Sequence, residues 1–170
     1  MHTYLQRLIE YNNWANRELI ERLGALPPET LDATAPGVYG SLRETLLHLL
    51  TSELSYHRRL TARPPADVAT AEFADIAFLR QLAAQSAAEL TAVADSLPDP
   101  GSFIQLSDGK RSAATMLTQL FMHGCEHRTH VGTILCAHGI EPPDLDSWAF
   151  GILLGGDDWP TDWGPEPASR

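Results

Sequence analysis

The chain has 170 residues, of which 44% are hydrophobic and 20% are charged, and its formal net charge at pH 7 is -10. This length suffices for one full hydrophobic core and is short for two domains. The acidic balance argues against non-specific binding to nucleic acids and against an anionic membrane surface, because both present phosphates that an acidic protein repels.

The location expected from the sequence is the cytoplasm. The first residues lack the apolar run of a signal peptide, and no stretch approaches the roughly 18 uninterrupted apolar residues that span a membrane. The two cysteines, Cys125 and Cys136, stand on one predicted helix about 16 Å apart, so they cannot pair with each other. Free thiols fit a reducing compartment.

The first helix is predicted from Tyr4 to about Leu23, where apolar side chains recur every three or four residues. Gly24 marks its end, and two prolines shortly afterwards prevent its continuation. Short amides are unusual inside a helix, because they compete for backbone hydrogen bonds. This helix contains three of them, Asn12, Asn13 and Asn16. They are expected either to face solvent or to bond across a helical bundle.

The second helix is expected to begin after Ser41, because serine is a favourable N-cap and Glu44 stands where a capping box needs an acidic side chain. It is predicted to reach about Leu60, shortly before a pair of prolines. His48 lies on its most polar face. That face is typical either of a solvated surface or of the polar wall of a pocket inside a bundle.

The third and fourth helices are separated by a predicted hairpin. Residues 74–96 are rich in alanine and leucine, which have high helix propensity. Residues 103–111 contain an Asp-Gly pair, a strong turn signal, and are expected to form two short strands. Ser112 is then a suitable N-cap for the fourth helix, which is expected to stop at Gly139.

After the fourth helix, the sequence predicts a short helix capped by Asp144 and then an irregular tail rich in glycine, proline, aspartate and tryptophan. Together these elements predict an all-α fold, a four-helix bundle with a short extra C-terminal helix. One domain is expected over residues 1–155 and the tail over residues 156–170. The longer links after the first and third helices allow crossovers, so a simple up-and-down order is not required.

The strongest functional signal is a set of three histidines on the fourth helix. His123, His127 and His130 fall within roughly 60° of one another around a helix. Apolar residues continue the same stripe, so the imidazoles replace apolar side chains on a buried face. The pattern favours a divalent metal, which satisfies several buried nitrogens at once. The alternative is that they are core or interface histidines bonded to carbonyls, carboxylates or water.

Four segments carry a resemblance to a known family: Tyr11-Asn-Asn-Trp-Ala-Asn16, Gly40-Ser-Leu-Arg-Glu-Thr-Leu-Leu-His48, His123-x-x-x-His127-Arg and Gly139-Ile-Glu-Pro-Pro-Asp-Leu-Asp146. In this order and spacing the chain resembles the DinB-like family, which is also grouped with YfiT-like metalloenzymes. The resemblance implies a bundle in which one histidine of the second helix and two of the fourth hold a metal. By position these are His48, His123 and His127.

The chain departs from the family where members often have His-Arg-Gly-Gln and this sequence has His127-Arg-Thr-His130. His130 is therefore either a group beside the substrate or a competing ligand. Three neutral imidazoles leave an open position on zinc or nickel, where a water becomes acidic or a thiol or carbonyl binds. The candidate catalytic bases are His130 and Glu44, with Glu53 a weaker one. Glu44 also fits a simple capping box.

The resemblance implies a small metal-dependent enzyme acting on a small-molecule substrate. Similar proteins include enzymes in which a metal activates a low-molecular-weight thiol for transfer or isomerisation, and others grouped as hydrolases. One alternative is a non-catalytic stress-response protein that binds a metal or a small ligand, and another is a structural dimer whose histidines merely pack. A homodimer is expected, because such bundles pair helix faces and both cysteines are suited to that contact.

Overall fold

The computed structural model describes residues 3–64, 74–94 and 96–154, and within them the chain is the expected all-α bundle with a short extra helix. The irregular tail predicted over residues 156–170 lies outside the described residues. The elements are α1 (Tyr4–Gly24), a 3-10 turn (Pro28–Asp32), α2 (Leu42–Leu60), α3 (Ile76–Val93), β1 (Phe103–Leu106), β2 (Gly109–Ser112), α4 (Ala113–Ala137) and α5 (Ser147–Leu153).

Side-chain caps set the starts of the long helices. Ser41 Oγ accepts a hydrogen bond from the backbone N–H of Glu44 at 3.2 Å, and the Glu44 carboxylate accepts from the backbone N–H of Ser41 at 2.8 Å. The capping box predicted for α2 is therefore confirmed. Ser112 caps α4 as predicted, and its hydroxyl accepts from the backbone N–H of Thr115.

Two predicted helix starts were wrong. In α3, Asp75 accepts from the backbone N–H of Phe78 at 2.8 Å and so acts as the N-cap, which starts the helix at Ile76 rather than at residue 74. In α5 the N-cap is Asp146 and not Asp144. Both residues are acidic and only two positions apart, and the Asp144 carboxylate instead accepts from the backbone N–H of Asp146.

The helices do not follow a simple up-and-down order around the bundle. α2 packs between α3 and α4, while α1 packs against α3 and, less extensively, against α4. The consecutive helices α1 and α2 thus face each other across the core, and the long link between them accommodates the crossover. The core between them is built mainly from leucine and isoleucine side chains, including Leu19, Ile20, Leu46, Leu50, Leu54, Leu79, Ile134 and Leu135.

The predicted hairpin is present and precedes α4. β1 and β2 pair antiparallel, with Phe103 opposite Ser112 and Leu106 opposite Gly109. Gly109 adopts a φ of 130°, which favours glycine at the turn. Within the described part of the chain, no helix is both long and apolar enough to cross a membrane.

Candidate metal centre

Three histidines converge where α2 packs against α4. The Nε2 atom of His123 lies 3.1 Å from Nε2 of His48 and 3.0 Å from Nε2 of His127. The potential ligand atoms of all three lie within 4.8 Å of one another. His123 and His127 are one helical turn apart on α4, so their rings share a face, and α2 brings His48 to meet them. The group that could hold a metal is therefore the one that the resemblance implied.

The donor set suits a shared ion better than hydrogen bonds between the rings. Two nitrogens bound to one zinc ion at about 2.0–2.1 Å lie about 3.3 Å apart in a tetrahedral site. A neutral imidazole has one N–H and one lone pair. Among the described residues, the Nδ1 atoms of His123 and His127 are buried without a partner. These Nδ1 atoms stay unpaired in either case, but His123 Nε2 carries only one hydrogen or one lone pair and cannot bond fully to both neighbours, whereas one ion can bind all three Nε2 lone pairs.

Burial keeps these imidazoles neutral at physiological pH. It is the main cause that lowers the pKa of His48 and of His123 below the usual 6.5. For His127, burial together with the neighbouring histidines lowers the pKa to about 4. A metal must displace any proton on its ligand nitrogen, so these three rings are ready to bind an ion near neutral pH.

Two tyrosines that sequence reasoning missed border the three histidines. The Tyr39 ring stacks on His48 with ring centroids 4.3 Å apart and planes 17° apart, and its centroid lies 5.2 Å from that of His127 with the planes at 88°. The Tyr56 ring makes an edge contact with His123 at 5.8 Å. Tyr39 belongs to the link before α2, where no helical periodicity points to it. Tyr56 lies on α2 two turns after His48, a spacing that offers a weak signal.

His130 lies beside the group rather than within it. Its ring packs against His127, with centroids 5.3 Å apart and planes at 79°. Its Nδ1 atom is buried without a hydrogen-bond partner among the described residues. The set of possible metal ligands found in that same part of the chain does not include it. Its catalytic role stays a prediction.

The two glutamates named as candidate bases have other partners. The Glu44 carboxylate accepts from the backbone N–H and the hydroxyl of Ser41, and these bonds hold its pKa below the usual range. Glu53 is fully buried and accepts hydrogen bonds from other helices. A catalytic role for Glu44 stays a prediction, and the geometry shows its capping role.

A buried polar network explains two of the three asparagines of α1. Glu53 accepts from Asn12 at 2.7 Å, from Asn16 at 2.9 and 3.1 Å, and from Ser86 at 2.7 Å. The guanidinium of Arg128 donates to the side-chain oxygens of both asparagines, at 2.8 and 2.9 Å. Asn12 and Asn16 therefore bond across the bundle and do not face solvent. Arg128 immediately follows His127 in α4, so this network holds the segment of α4 that carries His127 in place.

The two cysteines lie away from the histidine group. Cys125 and Cys136 are both free, as their spacing predicted, and both are exposed. Cys125 borders a cavity of about 270 Å³ between α1, α4 and the segment that follows α4. The three histidines do not line this cavity.

The fold and the site define a helical bundle with a three-histidine group that could hold a metal ion. The family model described as "DinB family" matches residues 1–151, and the chain belongs to that family. "Protein DinB" of Bacillus subtilis (strain 168) is 24% identical over 174 residues, which cover 91% of this chain and 95% of that protein. The crystal structure of a DinB-like protein, YjoA, from Bacillus subtilis has a similar fold. Its TM-score is 0.63 at 16% identity, covering 82% of this chain and 97% of the other.

Proposed function

We propose that this protein is a metal-dependent enzyme in which His48, His123 and His127 hold a zinc or nickel ion and a low-molecular-weight thiol is the substrate or co-substrate. The observation that carries the proposal is that the Nε2 atoms of His48 and His127 both lie within hydrogen-bonding distance of His123 Nε2. Reaction types that suit such a centre are S-transfer and hydrolysis. The bound ion would supply Lewis acidity and lower the pKa of a water or thiol at its open position.

The residues of this chain determine what that position can accept. Three neutral imidazoles add no negative charge, so a divalent ion would keep its full charge and favour an anionic ligand such as a thiolate. The Tyr39 side chain above His48 is 52% exposed, so solvent reaches this side of the group. His130 presents a buried unpaired nitrogen next to His127 and is our proposed proton acceptor.

The test combines metal reconstitution with turnover. Metal-free protein would be reloaded with zinc or nickel, and the consumption of small thiols with electrophilic acceptors would be followed beside the hydrolysis of simple esters. We expect turnover that requires the ion and is abolished by His127→Ala. A matched control is Cys125→Ser/Cys136→Ser, which removes both exposed thiols and should retain turnover, because neither lies in the histidine group.

A second candidate function is non-catalytic binding of a metal or small ligand in a stress response. The engagement of Glu44 in the helix cap favours it, because this carboxylate is already hydrogen-bonded at Ser41. This function predicts stoichiometric metal binding without turnover of any thiol or ester. The same reconstitution experiment distinguishes the two candidates.

We further propose that the protein is a cytoplasmic homodimer. Large apolar side chains are exposed on the faces of α1 and α4, among them Leu8 at 49% and Met122 at 62%. Such side chains are suited to contact a second copy, and two free exposed thiols suit a reducing compartment. Sedimentation that yields only monomers at micromolar concentration would contradict the dimer.

A further inference from the structure

The imidazole of His48 lacks, among the described residues, a protein acceptor for the second N–H that usually orients a metal-binding histidine. Such a ring normally donates its second N–H to a carboxylate, a carbonyl or water, which fixes the ring plane and the tautomer. Across the described residues, the one side-chain hydrogen-bond contact of His48 is between its Nε2 atom and His123. Its Nδ1 atom has no such contact there. Within the described residues, no protein hydrogen bond therefore fixes the ring through Nδ1.

Surrounding side chains bury the other two rings more completely than His48. His123 and His127 are 8% and 5% exposed and stand one turn apart on α4, so neighbouring side chains confine them. His48 is only partly buried and comes alone from α2. The nearly parallel stack with Tyr39, at 4.3 Å and 17°, is its closest ring contact. Tyr39 also makes a T-shaped contact with His127, so it bridges the two helices that supply the histidines.

Hydrogen bonds hold the two ends of the link that carries Tyr39. The hydroxyl of Thr34 donates to the carbonyl of Gly40 at 3.3 Å, and the backbone N–H of Leu42 donates to the carbonyl of Ala33 at 3.0 Å. His138, at the end of α4, lies with its Nε2 atom 3.0 Å from the carbonyl of Thr34. The link is thus attached to both α2 and α4, on either side of Tyr39, whose ring lies over His48.

We infer that Tyr39 is a positioning residue of the metal centre: its stacked ring holds the His48 imidazole with Nε2 directed at His123 and His127. This inference rests on the proposed metal site. An aromatic pair changes an equilibrium constant by about two- to thirteenfold beyond simple burial. Without the Tyr39 ring, His48 would spend less time in the binding orientation, so metal binding should weaken about three- to tenfold.

The test measures metal affinity by competition with a coloured chelator, and the melting temperature of the metal-free form, on the full chain. Tyr39→Ala should bind zinc or nickel about three- to tenfold more weakly, and Tyr39→Phe should restore affinity because the stack needs only the ring. Tyr4→Ala is the matched control, since that side chain is 94% exposed. In the cobalt-loaded protein, Tyr39→Ala should also alter the visible absorption, which reports ligand geometry.

Three results would overturn the inference. Equal affinity of Tyr39→Ala and the wild type would show that the stack does not position His48. Equal weakening by Tyr39→Phe and Tyr39→Ala would assign the effect to the hydroxyl. A large fall in the melting temperature of metal-free Tyr39→Ala would make Tyr39 a structural residue. Absence of metal binding in the wild type is a different outcome, which removes the proposed metal site itself.

Discussion

The side-chain amide of Asn16 donates to both carboxylate oxygens of Glu53, at 2.9 and 3.1 Å, inside the core. Its Oδ1 atom simultaneously accepts from Arg128 at 2.9 Å. An amide of α1 thus joins a buried anion of α2 to a buried cation of α4. Buried charges are tolerated only when their polar atoms are paired, so this connection favours one arrangement of the helices. The same arrangement places His127 beside His48.

Glu53→Gln should strongly destabilise the protein. The substitution keeps the volume but turns an acceptor oxygen into an NH2 group that faces the amide donors of Asn12 and Asn16. The expected loss is about 2–4 kcal/mol of unfolding free energy, measured by urea denaturation of the metal-free protein. Glu126→Gln on the exposed side of α4 is the control and should change it by less than about 0.5 kcal/mol. Similar effects of the two substitutions would contradict the role of the network.

Two glycines of α4 should respond in opposite directions to alanine. A Cβ atom at Gly124 would lie 3.0 Å from Asn12 Oδ1 and 3.1 Å from an Arg128 nitrogen, both held in the network. At Gly132, the nearest described atom would be 4.0 Å away. Gly132→Ala should therefore raise the unfolding free energy by about 0.5–1 kcal/mol, because alanine has the higher helix propensity. Gly124→Ala should lower the unfolding free energy by about 1–2 kcal/mol, because the added methyl group overpacks the site. Equal gains in urea denaturation would show that α4 does not approach α1 so closely.

Substitutions in the capping box distinguish two roles of Glu44, helix capping and catalysis. Glutamine also serves at this position of a capping box, so Glu44→Gln should leave the start of α2 intact. Ser41→Ala removes the cap itself and should lower the unfolding free energy by about 1 kcal/mol. If Glu44 is also a catalytic base, Glu44→Gln abolishes turnover without changing stability. If it only caps the helix, metal-loaded Glu44→Gln retains the wild-type rate.

Acid should destabilise the metal-free protein. Burial lowers the pKa of His123, and of His127 to about 4, whereas the usual value is 6.5. The unfolded chain therefore binds protons first as the pH falls. The contribution of these two histidines to the unfolding free energy is complete above about pH 6.5. Below that pH the unfolding free energy declines, by up to about 1.4 kcal/mol per pH unit for each histidine. Urea denaturation between pH 7.5 and 5 should show a shallower decline for His123→Ala/His127→Ala. An unchanged slope would assign the acid sensitivity to other groups.

The bundle and the α4 part of the site could be predicted because local patterns specify them. Ser41 and Glu44 make a local capping signal, and the spacing of His123 and His127 is a property of a single helix. These features can be predicted without knowing which residues pack against them. His48 was different, because its polar neighbours are equally typical of a solvated face, and only the resemblance to the family pointed to it.

The remaining features depend on contacts between distant segments. The asparagines of α1 were recognised as unusual, but a helical pattern does not reveal that Glu53 and Arg128 lie opposite them. Tyr39 lies in an irregular link, where its position over His48 follows from the attachments of that link to α2 and α4. The choice between Asp144 and Asp146 as a cap depends on backbone geometry that neighbouring acidic residues do not distinguish in the sequence.

The most direct test of the metal site is elemental analysis of the purified, tag-free protein beside His48→Ala/His127→Ala. Cys125→Ser/Cys136→Ser is the control, because it removes the exposed thiols that bind metals adventitiously. The account predicts about one zinc or nickel ion per chain in the wild type and the control, and none in the histidine variant. A wild-type protein that binds no metal even after reconstitution would contradict it. So would a histidine variant that retains the full amount.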